Sequence, residues 1–145
     1  MSQKALGRLF NSTPAADNVW INLADAGGVT FVCFLGAAAG DTYTLQQAKD
    51  GSGTGAANLA CISEYHTNTG NGSDAWTRRT QAATHTVVAA AAAVQQAVAI
   101  EVEGTQLADE YCFVRLASTG AGAVNALTRD LNVQRAPENL PAMAV

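Results

Sequence analysis

The side chains that could carry out metal or thiol chemistry are few and scattered along this chain. His66 and His85 are the two histidines, and the sequence contains no Cys-x-x-Cys or His-x-x-x-His motif. Zinc sites in proteins draw their ligands from closely spaced pairs of this kind. The sequence therefore predicts ordinary histidines at loops or strand ends, with no resident metal and no cofactor.

The three cysteines raise the question of a nucleophilic thiol. Cys33, Cys61 and Cys112 each lie in an apolar or β-prone run, and an odd number fits no closed disulfide framework. A catalytic thiol needs a nearby base and a lowered pKa. The sequence cannot place His66 beside Cys61, so buried structural thiols are the favoured interpretation.

Two pairs of carboxylates could imitate the acid and base of a glycosidase. Glu101 and Glu103 share one face of a predicted strand, and Asp109 adjoins Glu110 at a predicted turn. The solvent face of an amphipathic strand explains the first pair without any chemistry. No catalytic residue is assigned, and we expect no enzyme activity.

Two glycine-containing loops could in principle bind ligands. Residues 50–55 form a Gly-x-Gly-x-Gly run, but no clear helix follows to supply the N-terminus that a phosphate site needs. The oxygen-bearing residues of the second loop, Asn68, Asn71 and Asp74, lack the 1-3-5 spacing of a dedicated calcium loop. Both segments are therefore predicted to be hairpin loops.

The composition favours packing over catalysis. Only 14% of the residues are charged and 48% are hydrophobic, whereas an average soluble domain has about a quarter charged residues. A surface with so little charge is tolerated best where another protein covers it. No basic cluster is longer than Arg78-Arg79 and the net charge is -4, so nucleic acid is not an expected partner.

The elements that must position these residues are predicted to be β-strands. About eight short strands, separated by Gly, Asn and Ser turns, indicate an all-β fold with a single antiparallel sandwich or barrel. The predicted organisation is an N-terminal arm at 1–16, a β-domain at 17–134 and a C-terminal arm at 135–145. The apolar run at 87–94 is too short to span a membrane, and no signal peptide precedes the domain, so synthesis in the cytosol is expected.

Three segments carry specific expectations. Residues 18–23 and 29–35 read as a hairpin, and the second has apolar residues of both parities, which indicates a strand covered on two sides, at the sandwich centre or beneath a partner. Residues 98–103 alternate as a half-exposed strand. Residues 82–96 could be helix or extended chain, and strand with loop is favoured.

Several residues are candidates for contact with another protein. Tryptophan and arginine commonly anchor interfaces, but the tryptophans here could equally belong to the core and the arginines could be solvated edge charges. The two terminal segments are nearly neutral and partly apolar. The candidate contact residues are Leu6, Leu9, Phe10, Trp20, Trp76, Arg78, Arg79, Arg135, Pro137, Leu140 and Pro141.

Four segments carry a resemblance to a known class of proteins. They are Gly-Asp-Thr-Tyr-Thr-Leu-Gln-Gln-Ala (40–48), Trp-Thr-Arg-Arg-Thr-Gln-Ala-Ala (76–83), Ile-Glu-Val-Glu-Gly-Thr-Gln-Leu-Ala-Asp (100–109) and Asp-Leu-Asn-Val-Gln-Arg-Ala-Pro (130–137). Together they resemble head decoration, or cement, proteins of tailed bacteriophages, across residues 18–142. The resemblance implies a structural virion protein, made in the host bacterial cytoplasm, which binds the major capsid protein on the capsid exterior and stabilises the lattice. It also implies a homo-oligomer, a dimer or a trimer, without a nucleic-acid or membrane partner.

Two other functions remain open at this point. The chain could be a tail-tube or head-tail connector subunit, which would share the structural character of a decoration protein. It could also be a carbohydrate-binding β-sandwich that uses loop aromatics such as Tyr65 or Trp76.

Overall fold

The computed structural model describes residues 12–36, 40–90, 96–120 and 122–132. Over these residues the chain folds into strands and one short 3₁₀ helix, with no α-helix. The all-β prediction is confirmed. The strands are β1 (Ser12–Thr13), β2 (Ile21–Asn22), β3 (Ala26–Leu35), β4 (Asp41–Ala48), β5 (Ala57–Asn58), β6 (Ile62–Asn68), β7 (Thr77–Thr84), β8 (Thr86–Ala89), β9 (Ala97–Glu103), β10 (Phe113–Ser118) and β11 (Gly122–Leu131), and the 3₁₀ helix is Gly104–Gln106.

The strands form two antiparallel sheets packed face to face. The first sheet has the order β1-β11-β3-β9-β6-β7, and the second has the order β2-β10-β4-β5, with β8 also pairing with β4. Neither sheet closes on itself, so the architecture is a sandwich rather than a barrel. Among the described residues eight strands have four or more residues, which agrees with the number expected from the sequence.

The core lies between the sheets because alternate side chains of each strand point inward. In β9 the side chains of Val98, Ile100 and Val102 are fully buried while Glu101 and Glu103 are exposed, as the alternation predicts. The burial of each aliphatic side chain of this size contributes about 1.5–3 kcal/mol to the free energy of folding. The other large side chains buried to the same degree are Ile21, Val29, Phe31, Tyr43, Leu45, Ile62, Val87, Val114 and Leu116.

The predicted hairpin between residues 18–23 and 29–35 is wrong. Ile21 of β2 pairs with Val114 of β10 in the second sheet, whereas β3 lies between β11 and β9 in the first sheet. The residues that suggested a turn, Gly27 and Gly28, lie inside β3. A side chain at Gly28 would collide with the carbonyl oxygen of Val102 in β9, 2.6 Å from the position of its Cβ. These glycines therefore serve close strand packing rather than a turn.

The segment 82–96 is extended where the structure describes it. β7 continues to Thr84, His85 lies at a bend, and β8 follows directly. This agrees with the interpretation as strand and loop. Residues 91–95, which carry part of the alanine run, lie outside the described residues.

The described part of the predicted N-terminal arm lies on the first sheet. Ser12 and Thr13 pair with Leu127 and Ala126 of β11, and Ala16 is fully buried. Residues 1–11 and 133–145 lie outside the described residues. No helix in the described ranges has the length and apolar character needed to cross a membrane.

Candidate interaction surfaces

The thiols of Cys33 and Cys61 are poorly suited to nucleophilic chemistry. Cys33 is fully buried, and burial, followed by the negative charge of Asp41, raises the pKa of its thiol well above the ordinary value. Burial also raises the pKa of Cys61. Both side chains are therefore protonated at neutral pH, whereas a nucleophilic cysteine must form the thiolate.

A groove between β6 and β9 brings together several residues that the sequence could not place. It has a volume of about 190 Å³ and its lining includes Cys61, Tyr65, His66, Glu101 and Glu103. The Glu103 carboxylate forms an ion pair with Arg129. Across the described ranges, no group of three or more His, Cys, Asp or Glu side chains is arranged to hold a metal ion. The groove is thus a polar depression whose carboxylates are partly neutralised by arginine.

Two other candidate residues for chemistry, His85 and Glu110, lie at a bend and on the surface. The His85 carbonyl accepts a hydrogen bond from the Leu45 N–H at 2.7 Å, which joins the bend to β4. Glu110 pairs with Lys49 at 2.6 Å on the surface. The expected carboxylate pair at Asp109 and Glu110 therefore has one member engaged with lysine.

The loop between β6 and β7 closes on itself through its own polar groups. Asp74 accepts a hydrogen bond from the Thr69 N–H at 2.9 Å, and the Asn68 side chain donates to the Asp74 carbonyl at 3.1 Å. The Asn71 side-chain oxygen accepts hydrogen bonds from Ser73 and from the Asp74 N–H. The Thr69 N–H lowers the pKa of Asp74 below its usual value. These oxygens are directed into the loop, and they brace the hairpin tip that precedes Trp76.

Trp76 and the two following arginines lie on this exposed hairpin. The Trp76 side chain is 47% exposed. Arg78 forms an ion pair with Glu64 on the neighbouring strand β6, and the Arg79 Nε donates to the Thr67 hydroxyl at 3.1 Å. The structure thus places all three on the surface, with the arginine side chains partly engaged by β6.

Trp20 lies in a different environment from Trp76. It is buried in a small cluster with Ala48 and Phe113 on the outer face of the second sheet. The Arg115 guanidinium stacks over its ring at 4.4 Å from the centroid. Gly53, at φ +85°, brings the backbone of the glycine loop against the indole, where a Cβ would lie 2.9 Å from Nε1. Trp20 therefore offers little surface to a partner and acts in packing.

Trp76 belongs to one row of residues that crosses the outer face of the first sheet. Ala123, Phe34, Ala97 and Asn68 are paired in turn across β11, β3, β9 and β6. Thr77 is opposite Thr67. Thr67 is buried, which shows that its side chain points into the sandwich. The preceding Trp76 is therefore placed beside Asn68 on the outer face. Strands lie about 4.8 Å apart, so Phe34 and Trp76 stand about 14 Å apart in this row.

A second, parallel row completes a surface that we call the Phe34–Trp76 face. It consists of the row Ala123, Phe34, Ala97, Asn68 and Trp76 together with the adjacent row Asn125, Val32, Ala99, His66 and Arg78. Arg78 is the one permanently charged residue among these ten. Phe34 is 50% exposed, although a phenylalanine on a central strand is normally covered.

The sequence pattern of β3 indicated a covered outer side at Phe34, although Phe34 was not among the candidate contact residues. Thr30, Val32 and Phe34 share one face of β3, and this face is partly apolar, as is the opposite face. The sequence therefore predicted that this strand is covered on both sides. The structure covers the inner side, where Phe31 and Cys33 are fully buried. The cover on the outer side remains a prediction, and Phe34 joins the candidate contact residues.

The second sheet also has an exposed apolar residue on its outer face. Val88 is 67% exposed and pairs with Thr42 of β4. Its surroundings differ from those of Phe34, because Thr42 and Thr44 flank it and no exposed aromatic lies in this sheet's described strands. Val88 therefore serves as a matched control for contact with a partner.

The remaining candidates belong to the terminal segments. These residues lie outside the described part of the chain: Leu6, Leu9, Phe10, Arg135, Pro137, Leu140 and Pro141.

Comparison with known proteins adds no relative. No family model, no curated protein and no solved structure matches this chain. The function must therefore be inferred from the residues and surfaces described above.

Proposed function

We propose that this chain is a structural protein of a tailed-bacteriophage virion, which binds the outer surface of the capsid lattice and stabilises it. The Phe34–Trp76 face carries this proposal. It presents two half-exposed aromatic side chains together with Ala99, Ala123 and two asparagines, and it has one permanent charge, while Ala97 within it is buried. The centres of protein interfaces are likewise depleted of charge and enriched in aromatic residues.

The rigidity of the face supports a role in docking. Val32, Phe34 and Ala99 lie on the central strands β3 and β9 and are at least partly exposed, so a partner meets preformed structure. Trp76 is held by a loop whose polar groups are bonded to one another. A partner then binds without first ordering these residues, which lowers the entropic cost of association.

A capsid lattice suits a protein with modest contact surfaces. The subunits repeat, so a dimer or trimer of this chain contacts several of them at once, and linked weak contacts raise the net affinity. Residues 1–11 and 135–145, which belong to the segments predicted as arms, would add contact area on neighbouring subunits. The resemblance of four segments to decoration proteins supports the same assignment.

The binding face can be tested by co-sedimentation with capsids that lack this protein. We expect Phe34→Ser and Trp76→Ala each to weaken binding at least about tenfold, because aromatic anchors at interface centres carry much of the binding energy. Val88→Thr, on the opposite face, is the matched control and should bind as the unmodified chain does. Full occupancy of the particle by the double variant Phe34→Ser/Trp76→Ala would overturn the assignment of this face.

The class of virion protein is tested by copy number. Mass spectrometry of purified virions should find hundreds of copies if the chain decorates the shell. A few copies would instead favour a connector, and electron-microscopy density on the tail rather than the shell would favour the tail-tube role.

Carbohydrate binding is the second candidate function, and the same face favours it. Aromatic rings stack on the apolar faces of sugars, and this face presents two of them, Phe34 and Trp76. Tyr65 is less suited, because it packs against the core. Specific binding on a glycan array that is lost with Trp76→Ala would favour this function over capsid decoration.

A further inference from the structure

The tip of the β6–β7 hairpin contains the one Asn-Gly pair of the whole sequence, Asn71-Gly72. In such a pair the backbone nitrogen of the glycine can attack the asparagine side-chain carbonyl, since no side chain on the following residue obstructs it. Both residues are exposed. No other atom lies within 4 Å of the position that a Cβ of Gly72 would occupy. Apart from its two neighbours in the chain, no residue crowds Gly72 on this side.

The hydrogen bonds at Asn71 favour this attack. Its Oδ1 accepts from the Ser73 N–H and the Ser73 hydroxyl, both at 2.9 Å, and from the Asp74 N–H at 3.3 Å. Three donors on one carbonyl oxygen withdraw electrons from Cγ and stabilise negative charge on that oxygen. The carbon under attack, Asn71 Cγ, is thus polarised. Within the described ranges, no hydrogen bond holds the attacking Gly72 nitrogen or the departing Asn71 Nδ2.

We propose that Asn71 is a site of spontaneous deamidation and that the folded loop promotes the reaction, with water as the sole co-reactant. The Gly72 nitrogen gives its proton to solvent base and bonds to Asn71 Cγ. The resulting oxyanion on Oδ1 is held by the Ser73 and Asp74 donors. The Cγ–Nδ2 bond then breaks and ammonia leaves with a proton from water. Water opens the cyclic imide at either carbonyl, which yields an aspartate or an isoaspartate.

The product changes the loop that supports Trp76. Either product adds a negative charge beside Asp74, and like charges at close range destabilise one another. The isoaspartate also inserts a methylene group into the backbone, so the donors of Ser73 and Asp74 lose their alignment with the former Oδ1. Deamidation would thereby loosen the hairpin at the edge of the Phe34–Trp76 face, whatever partner that face binds.

The site can be tested on the purified full chain in mildly alkaline buffer made with heavy-oxygen water. Trypsin, cutting after Lys49 and Arg78, releases a single peptide, 50–78, that contains Asn58, Asn68 and Asn71. Fragmentation should locate one heavy oxygen and the loss of one amide nitrogen at Asn71. Asn58 and Asn68 serve as internal controls and should remain unchanged. An unmodified Asn71, or equal modification of the three asparagines, would overturn the proposal.

The contribution of the fold is tested separately. Ser73→Ala removes the hydroxyl donor and leaves both N–H donors, so the rate should fall by about threefold to tenfold. The folded chain should also deamidate at least as fast as the chain unfolded in guanidinium chloride. An unchanged rate in Ser73→Ala, or a folded rate far below the unfolded rate, would show that the loop does not promote the reaction.

Discussion

The carboxylate of Asp41 at the start of β4 joins that strand to Thr119 in the turn after β10. Its Oδ1 accepts hydrogen bonds from the Thr119 N–H at 2.9 Å and the Thr119 hydroxyl at 3.0 Å, and also from the N–H groups of Gly120 and Thr42. Asp41 is buried, with 6% of its surface exposed. One oxygen therefore accepts from both turn N–H groups, those of Thr119 and Gly120, and from the Thr42 N–H, which also donates to the Thr119 hydroxyl at 3.2 Å.

Replacing Asp41 by alanine should destabilise the protein by about 2–4 kcal/mol, because part-buried donors lose their acceptor. Asp41→Asn keeps a side-chain oxygen and should cost less. Urea unfolding measures both free energies. Asp109→Ala, at an exposed site, is the control and should change stability by less than about 0.5 kcal/mol. Equal stability of the Asp41→Ala and Asp109→Ala variants would contradict the structural role.

The local sequence pattern predicted the two faces of some strands, but it did not predict which strands pair. In β9 the alternation of Val98, Ile100 and Val102 with glutamates identified both faces, since side-chain direction in a strand depends on parity alone. Strand pairing depends on residues far along the chain. Ile21 pairs with Val114 rather than with β3, and nothing in the local sequence of β2 indicates this, so the predicted hairpin was wrong.

The candidate surface also depends on contacts between residues that are distant in sequence. Residue type could not separate Trp20 from Trp76; Trp20 is buried because Gly53 and Arg115, both distant in sequence, pack on it. The row that joins Phe34 to Trp76 exists only through the register of four strands. The parity of β3 indicated an apolar outer side at Phe34, and that part was available from the sequence.

The approach of Gly53 to Trp20 predicts a measurable clash. Gly53→Ala should destabilise the protein by about 2–3 kcal/mol, which combines the strain of a positive φ with the displacement of the indole. Gly72→Ala is the matched control, because it has a similar φ of +80° and open space around the new methyl group. It should cost about 1–2 kcal/mol, the strain alone. Urea unfolding monitored by tryptophan fluorescence in a Trp76→Phe background, where Trp20 is the one tryptophan, measures both values.

If Gly53→Ala and Gly72→Ala prove equally destabilising, the loop does not press on Trp20. A shift of the Trp20 emission in the Gly53→Ala variant alone would confirm the contact directly.

The hairpin that carries Trp76 should loosen in acid. The Thr69 N–H lowers the pKa of Asp74 in the folded state, and Arg78 lowers that of Glu64. For a carboxylate with a depressed folded pKa, the stabilisation is present above the unfolded pKa and is lost as the pH falls through the folded pKa. Hydrogen exchange of the loop amides should therefore accelerate, relative to the β9 amides, as the pH falls from about 5 to about 2.

Asp74→Asn separates the two carboxylates. This variant lacks the titrating group at the loop, so the acceleration at the Thr69 amide should disappear while that near Glu64 remains. Unchanged acid behaviour at Thr69 would assign the loosening to some other group.

The three thiols should react with alkylating reagents in a fixed order. Cys33 is fully buried with a raised pKa, whereas Cys61 and Cys112 are both partly buried. Because the thiolate is the reactive form and burial hinders access to a thiol, Cys61 and Cys112 should be labelled in the native protein, and Cys33 only when the protein unfolds. Peptide mass spectrometry over a time course measures the order, and the labelling of Cys33 should follow global unfolding as urea is added. Labelling of Cys33 ahead of Cys112 in the absence of urea would show that the sheets of the sandwich open locally at β3.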